Sequence, residues 1–194
     1  KEASLEKLLN NFKASYFAAA LLMDQHELAE DLKHLSINTV WNPSLISDLI
    51  DKYQVTPETL LQRFTNILPK HFGIDNLFFI RIDGSKNMVE HQITKELHLT
   101  GLHKPFQNQI TEHLCHRWVS ISSIKNLHGK NQRFFVDAQV SDYWQTDNSY
   151  FCISVAEEGR FDYPNGSSVT LGLSMTEGLR AAFNFIKDPQ LKRR

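Results

Sequence analysis

The sequence lacks several features that define whole classes of protein. Its two cysteines, Cys115 and Cys152, are too few among 194 residues for a disulfide framework, which favours a reducing compartment such as the cytoplasm. It has no apolar run long enough to span a bilayer, and we expect neither a secretory leader nor a membrane partner. Its eight glycines are scattered, so no glycine-rich loop is present to hold a phosphate.

Neither sign of charge is in excess. The chain carries 21 basic and 22 acidic side chains, a formal net charge of −1. Surfaces that bind a phosphate backbone usually carry an excess of positive charge, so the balance argues against direct nucleic-acid binding by this chain. Hydrophobic residues make up 41% of the sequence and include 13 phenylalanines, enough for the core of one domain or two small ones.

The first third of the sequence predicts helices. Apolar residues recur there at three- and four-residue steps, which indicates one apolar stripe along a first helix. The stripe comprises Leu5, Leu8, Leu9, Phe12, Tyr16, Ala20 and Met23. Further helices are predicted over 24–35, 43–53 and 56–73, the last with Thr56 as its N-cap and Gly73 at its end.

After Gly73 the period of the apolar residues changes. Strands are predicted over 77–82, 88–93, 118–124, 133–140, 150–155 and 169–173, with helices over 105–116 and after a Ser174 cap. The pattern therefore predicts an α+β fold, with a helical segment over 1–73 and a mainly antiparallel sheet with flanking helices over 74–194. A GAF- or PAS-like sensor is one arrangement that this pattern allows.

The sheet region mixes arginine with aromatic residues. Alternation along a strand places Phe79 and Arg81 on one face of the sheet, opposite Phe78 and Ile80. Most such aromatic residues belong to a core, but an arginine beside aromatic rings also suits a ligand with a phosphate and a planar ring. The candidate ligand-binding residues are Phe79, Arg81, Arg117, Trp118, Arg133 and Tyr150.

Two other groups of residues indicate specific chemistry. His113, Cys115 and His116 could hold zinc or iron with a further ligand such as Cys152, but only one end of a ligand spacing is visible, and the alternative is a partly buried cysteine with two surface histidines at a helix end. Residues 43–68 have the spacing of a helix-turn-helix. Its second helix would then present outward Glu58, Thr59, Gln62, Arg63 and Asn66. A purely structural helix pair is the alternative, because acidic residues lie near that face.

Two stretches of the front third resemble the end of an ImmA/IrrE-type domain. They are residues 17–23, FAAALLM, and residues 49–64, LIDKYQVTPETLLQRF. In that family a zinc-binding HExxH helix precedes the first stretch, and a metal-binding glutamate often stands just before the Phe-Ala-Ala. Residues 13–16 here are Lys-Ala-Ser-Tyr, with no carboxylate, so the resemblance implies no enzyme activity.

The remainder resembles the C-terminal domain of the short-chain fatty acyl-CoA regulators, bacterial transcription factors with an XRE-type helix-turn-helix head. The similar stretches are residues 77–83, 113–118 and 150–154. The resemblance implies an effector-binding domain that senses a short-chain acyl-CoA. It also implies a cysteine near Cys115 for an iron–sulfur cluster, although two cysteines cannot supply four thiolates.

The same resemblance implies partners for this chain. They are a small-molecule effector, a second copy joined through the helical front, and DNA bound by a head outside this sequence. The first residue is Lys rather than Met, and we accordingly expect a longer parent protein. The alternatives are a metal-dependent hydrolase remnant, an acyl-CoA-binding enzyme and a protein-interaction module.

Overall fold

The computed structural model describes residues 4–84, 91–99, 118–127, 132–142, 148–159 and 166–194, apart from the side chain of Leu8. Four helices come first: α1 Leu5–Leu22, α2 Gln25–Ser36, α3 Ser44–Tyr53 and α4 Pro57–Phe72. The sheet region then contains β1 Leu77–Gly84, β2 His91–His98, α5 Val119–Leu127, β3 Phe134–Asp142, β4 Ser149–Glu157 and β5 Ser167–Ser174. The chain ends with α6 Glu177–Ala182, the 3-10 turn Asn184–Lys187 and β6 Lys192–Arg193. The predicted α+β class is confirmed.

The ends of the front helices follow from local chemistry. The Asp24 carboxylate accepts from the backbone N–H groups of His26 and Glu27, and the Thr56 hydroxyl accepts from that of Thr59, so each satisfies donors that a helix start leaves free. Gly73 ends α4 at φ +64°, a backbone region that glycine enters without steric cost. These boundaries match the predicted ones.

The strands form one sheet in the order β2-β1-β5-β4-β3-β6, antiparallel except for the short β3–β6 pair. One face packs against the front helices and the C-terminal segment, and its core includes Phe79, Phe151 and Leu171. The other face packs against α5, and its core includes Phe78 and Ile80. Phe79 and Arg81 therefore share a face opposite Phe78 and Ile80, as predicted. Within the described residues, no helix is both long and apolar enough to cross a membrane.

The strand predicted over 118–124 is wrong, because Val119–Leu127 is the helix α5. The alternation of isoleucine and valine with serine is typical of a half-exposed strand, but Ser120 and Ser123 are both buried. Serine is small enough for a helix to pack closely on a sheet, and the Thr170 hydroxyl of β5 donates to Ser120 Oγ at 3.0 Å. The sequence pattern indicated a strand because serine is usually exposed, whereas these two serines are buried.

Two smaller predictions need correction, and a third lies outside the described residues. Thr176, not Ser174, caps α6, because its hydroxyl accepts from the Leu179 backbone N–H. β2 is described from His91 and continues to His98, beyond the predicted end of that strand at Ile93. The helix predicted over 105–116 lies outside the described residues.

The apolar stripe of α1 is largely exposed instead of buried. Its last residue, Met23, lies in the core together with the neighbouring Ala19, where the C-terminal part of α1 meets the rest of the helices. Toward the N-terminus the stripe faces solvent, with Leu5 82% and Phe12 64% exposed. Sequence periodicity identifies an apolar face but not what covers it, and here the described residues leave half of it uncovered.

Candidate functional site

The N-terminus of α4 lies over one end of the sheet, where polar residues from several strands meet. Strand register aligns Asp83 of β1 with Ser167 of β5, Ser167 with Glu157 of β4, and Glu157 with Phe134 of β3. We call the three polar residues among them, Asp83, Ser167 and Glu157, the polar row. Because side chains alternate between the two faces of a strand, these aligned residues share the face that lies under α4.

Arg81 lies at one end of this region and is held by two carboxylates. Its Nη1 atom is 2.5 Å from Glu58 Oε2 on α4, and its Nε atom is 2.9 Å from Asp83 Oδ1. Lys95 of β2 forms a second ion pair with Glu58, and the Thr94 hydroxyl donates to Asp83 Oδ2 at 2.7 Å. The Arg81 side chain is only 17% exposed, so this guanidinium does not face an open cavity.

The Glu58 carboxylate is the centre of this network. Burial by itself would raise its pKa, but hydrogen bonds from Lys95 and Arg81 outweigh burial and leave the pKa lowered. The pKa of Arg81 is raised, because its hydrogen bond to Glu58 and the charge of Asp83 outweigh the opposing effect of burial. Both groups are therefore charged at neutral pH and bind α4 to the sheet.

Arg133 lies at the other end of the polar row and does face an opening. Its guanidinium lies 4.6 Å from the centroid of the Phe134 ring, and its Nη1 atom is 3.5 Å from Asp51 Oδ1 on α3. A depression of about 210 Å³ opens here, lined by Thr56, Pro57, Arg133, Phe134, Glu157 and Glu158. It is smaller than the ~300–1,000 Å³ of typical ligand sites, so the described residues could enclose only part of a coenzyme.

The six candidate ligand-binding residues do not form one site. Arg81 and Arg133 lie at opposite ends of the polar row, and Phe79 is buried in the core beneath the front helices. Tyr150 is buried on the other face of the sheet, with its ring 5.4 Å from that of Phe78, and Trp118 packs against that same core. Arg117 lies outside the described residues.

The metal-binding hypothesis falls mostly outside the description. His113, Cys115 and His116 are not among the described residues, and the described part of the chain contains no cluster of three or more histidine, cysteine or acidic side chains that could hold a metal. Cys152, suggested as a fourth ligand, is buried, and burial raises the pKa of its thiol to about 12. In the metal-free protein the thiol is therefore protonated at neutral pH and is a poor nucleophile.

The helix-turn-helix hypothesis wrongly places Arg63 on the outer face of the second helix. That side chain, expected on the outer face of α4, is 4% exposed, and its guanidinium lies 5.6 Å from the centroid of the Tyr16 ring. Glu58, also expected to face outward, points to Arg81 and Lys95. Two of the five residues predicted to face DNA therefore contact other parts of this chain.

Comparison with known proteins identifies a solved structure of similar fold. No family model matches the sequence, and no curated protein matches it significantly. Among solved structures the chain is similar to a Mycobacterium tuberculosis transcriptional regulator, with a TM-score of 0.55 and 20% identity over 92% of this chain. The match covers 49% of that regulator, so the chain spans about half its length. The likeness at this identity is one of fold.

Proposed function

We propose that this chain is the effector-binding part of a bacterial XRE-type transcriptional regulator that senses a short-chain acyl-CoA in the cytoplasm. The observation that carries the proposal is the similarity of 92% of this chain to about half of a transcriptional regulator. Such a match is expected when a sensor is joined to other regions in a longer protein. The sequence resemblance to short-chain fatty acyl-CoA regulators, which covers nearly the whole chain in order, supports the same conclusion.

The depression at Arg133 is the best-supported part of the effector site. An exposed guanidinium beside an aromatic ring offers a positive charge and hydrogen-bond donors to a phosphate. Glu157 and Glu158 line the same depression and would repel a phosphate placed near them. A diphosphate is therefore expected on the Arg133 side.

In the intact regulator, effector binding would change DNA affinity by favouring one arrangement of sensor and head over another. Heads of this type read paired half-sites, which requires a homodimer. No catalytic step is part of the proposal. The GAF- or PAS-like arrangement, the iron–sulfur cluster and the division at residue 73 stay predictions.

Thermal shift and native mass spectrometry of the purified chain test the proposal. Acetyl-, propionyl- and longer acyl-CoA are compared with free coenzyme A, ATP and propionate, which share the nucleotide or the acid but not the thioester. A thermal shift and a bound mass that require the thioester support the sensor. Stabilisation by none of the ligands would contradict it, and release of free thiol from propionyl-CoA would favour the alternative of an acyl-CoA enzyme.

A further inference from the structure

The exposed part of α1 carries an apolar stripe with the spacing of a helix–helix seam. Leu5, Leu9, Phe12 and Tyr16 follow one another at four, three and four residues, and all four are exposed. This is the spacing at which two helices pack side by side. The same stripe continues at Ala19 into the protein's own core, so its exposed half is the extension of a packed surface.

The exposed area of the stripe suits packing against a second copy of the same helix. An 18-residue helix is about 27 Å long, and short helices are marginal in water without tertiary packing. The four stripe residues expose roughly 400 Å² per copy, taking about 150–200 Å² for a fully exposed leucine or aromatic side chain. A pair of stripes would bury roughly 800 Å², and with their flanks about 1,000 Å², which is the minimum expected of a biological interface.

A buried charge beside the stripe also indicates that this face of α1 forms a contact. Arg63 is 4% exposed and lies under Tyr16, and its Nε atom is buried with no hydrogen-bond partner among the residues that the structure describes. Asp24 lies within electrostatic reach, and its pKa is lowered chiefly by the backbone N–H groups of Glu27 and His26 and in smaller part by Arg63. The Asp24 carboxylate already caps the start of α2, and no carboxylate in the described part of the chain forms an ion pair with Arg63.

We propose that a second copy of this chain docks on α1, with the two α1 helices antiparallel about a two-fold axis. With the axis between Asn10 and Asn11, Leu9 lies opposite Phe12 of the partner subunit, and Leu5 lies opposite the partner's Tyr16. The same register brings Glu6 of the partner subunit to the level of Tyr16, within reach of Arg63. A two-fold pair forms this contact twice. The inference rests on the proposed homodimer and adds its surface and register.

Sedimentation velocity of the 194-residue chain over a concentration series tests the docking surface. We expect a monomer–dimer equilibrium in the micromolar range for the unmodified chain. Phe12→Glu should weaken the dimer by at least about 30-fold, because it places a charge in the centre of the seam. Leu21→Glu is the matched control, since Leu21 is 71% exposed on another side of the same helix, and it should leave the dimer unchanged. A monomeric unmodified chain, or equal effects of the two variants, would overturn the proposal.

A mixing experiment tests the antiparallel register. Leu9→Glu and Phe12→Lys should each be monomeric alone but form a mixed dimer together, because positions 9 and 12 face each other across the axis. No mixed dimer, while the unmodified chain is dimeric, would refute this register. All these positions are exposed in the single copy, so folding should be retained, which circular dichroism checks.

The Arg63 contact has its own test. Glu6→Gln and Arg63→Met should each weaken the dimer by about fivefold or more, and the double variant should lose no more than one single variant. Additive losses would show that the two side chains do not pair. Acyl-CoA binding is measured separately by native mass spectrometry: a monomer that binds the thioester would refute the docking surface alone, and a dimer that binds none would refute the sensor alone.

Discussion

Glu58, in the first turn of α4, forms an ion pair with Arg81 of β1, with 2.5 Å between Oε2 and Nη1. Lys95 binds the other oxygen of the same carboxylate from β2. Through these two ion pairs, the Glu58 carboxylate joins α4 to β1 and β2, the two outermost strands on that side of the sheet. Arg81, one of the three arginines among the candidate ligand-binding residues, is already paired within the protein.

Replacing Glu58 with glutamine should destabilise the fold. The substitution removes the negative charge that pairs with Arg81 and with Lys95, while the Asp83 carboxylate still pairs with Arg81. Both Glu58 and Arg81 are largely buried, so we expect a loss of about 1–2 kcal/mol in the free energy of unfolding by urea. Glu30→Gln is the control, because it removes an exposed ion pair with Lys33 and should change nothing measurable. Equal stability of the two variants would contradict the structural role of Glu58.

The same carboxylate should give stability a dependence on acid pH. The pKa of Glu58 is lowered in the folded protein, so the folded state holds the charged form more strongly than the unfolded state does. This contribution is present above the ordinary glutamate pKa of 4.5 and is lost as pH falls below it toward the folded value. Urea unfolding between pH 6 and pH 3.5 should show a shallower decline for Glu58→Gln than for the unmodified chain. Parallel curves would indicate that another acid causes the decline.

Gly172 of β5 and Phe78 of β1 are directly opposite each other, and the glycine makes room for the ring. A Cβ atom at position 172 would lie 2.2 Å from the Phe78 ring. Gly172→Ala should therefore cost about 1–3 kcal/mol through overpacking, and Phe78→Leu should recover part of the loss in the double variant. Gly178→Ala, in α6 and without a close neighbour, should be neutral or stabilising. Thermal unfolding measures all three, and equal melting temperatures for the two glycine variants would refute the close contact.

Two serines of α5 should respond to alanine in opposite directions. Ser123 Oγ is buried with no hydrogen-bond partner in the described part of the chain, whereas Ser120 Oγ accepts from the Thr170 hydroxyl. Ser123→Ala should stabilise the protein by about 0.5–1 kcal/mol, because it removes an unsatisfied buried group and raises helix propensity. Ser120→Ala should destabilise it by about 1 kcal/mol, because it leaves Thr170 unpaired. Losses of similar size in urea unfolding would show that Ser123 has a partner in solution.

Local chemistry made much of the fold predictable. The caps at Asp24 and Thr56 and the glycine at 73 depend on neighbours within a few residues, so the sequence indicates them directly. The strands β1, β4 and β5 were also predicted, because aromatic, β-branched or leucine residues predominate in the central part of each. α5 was missed because buried serines produce the alternation of a strand.

The candidate site was less predictable, because its contacts join distant parts of the chain. Glu58 and Arg81 are 23 residues apart, and nothing in the first turn of a helix indicates which strand its acid will meet. The burial of Arg63 beneath Tyr16 likewise depends on how α1 crosses α4. Sequence placed Phe79 and Arg81 on the correct face but could not show that Tyr150 and Trp118 would lie across the sheet from them.

Calorimetric titration of propionyl-CoA tests the central claim most directly, because it measures whether this chain binds a thioester and whether Arg133 contributes. We expect saturable binding to the unmodified chain, weakened about tenfold or more by Arg133→Gln, because a charged hydrogen bond to phosphate is lost. Arg193→Gln, which removes an exposed arginine at the far end of the chain, should leave the affinity unchanged. The absence of binding, or equal affinities for the two variants, would contradict a thioester sensor with its phosphate contact at Arg133.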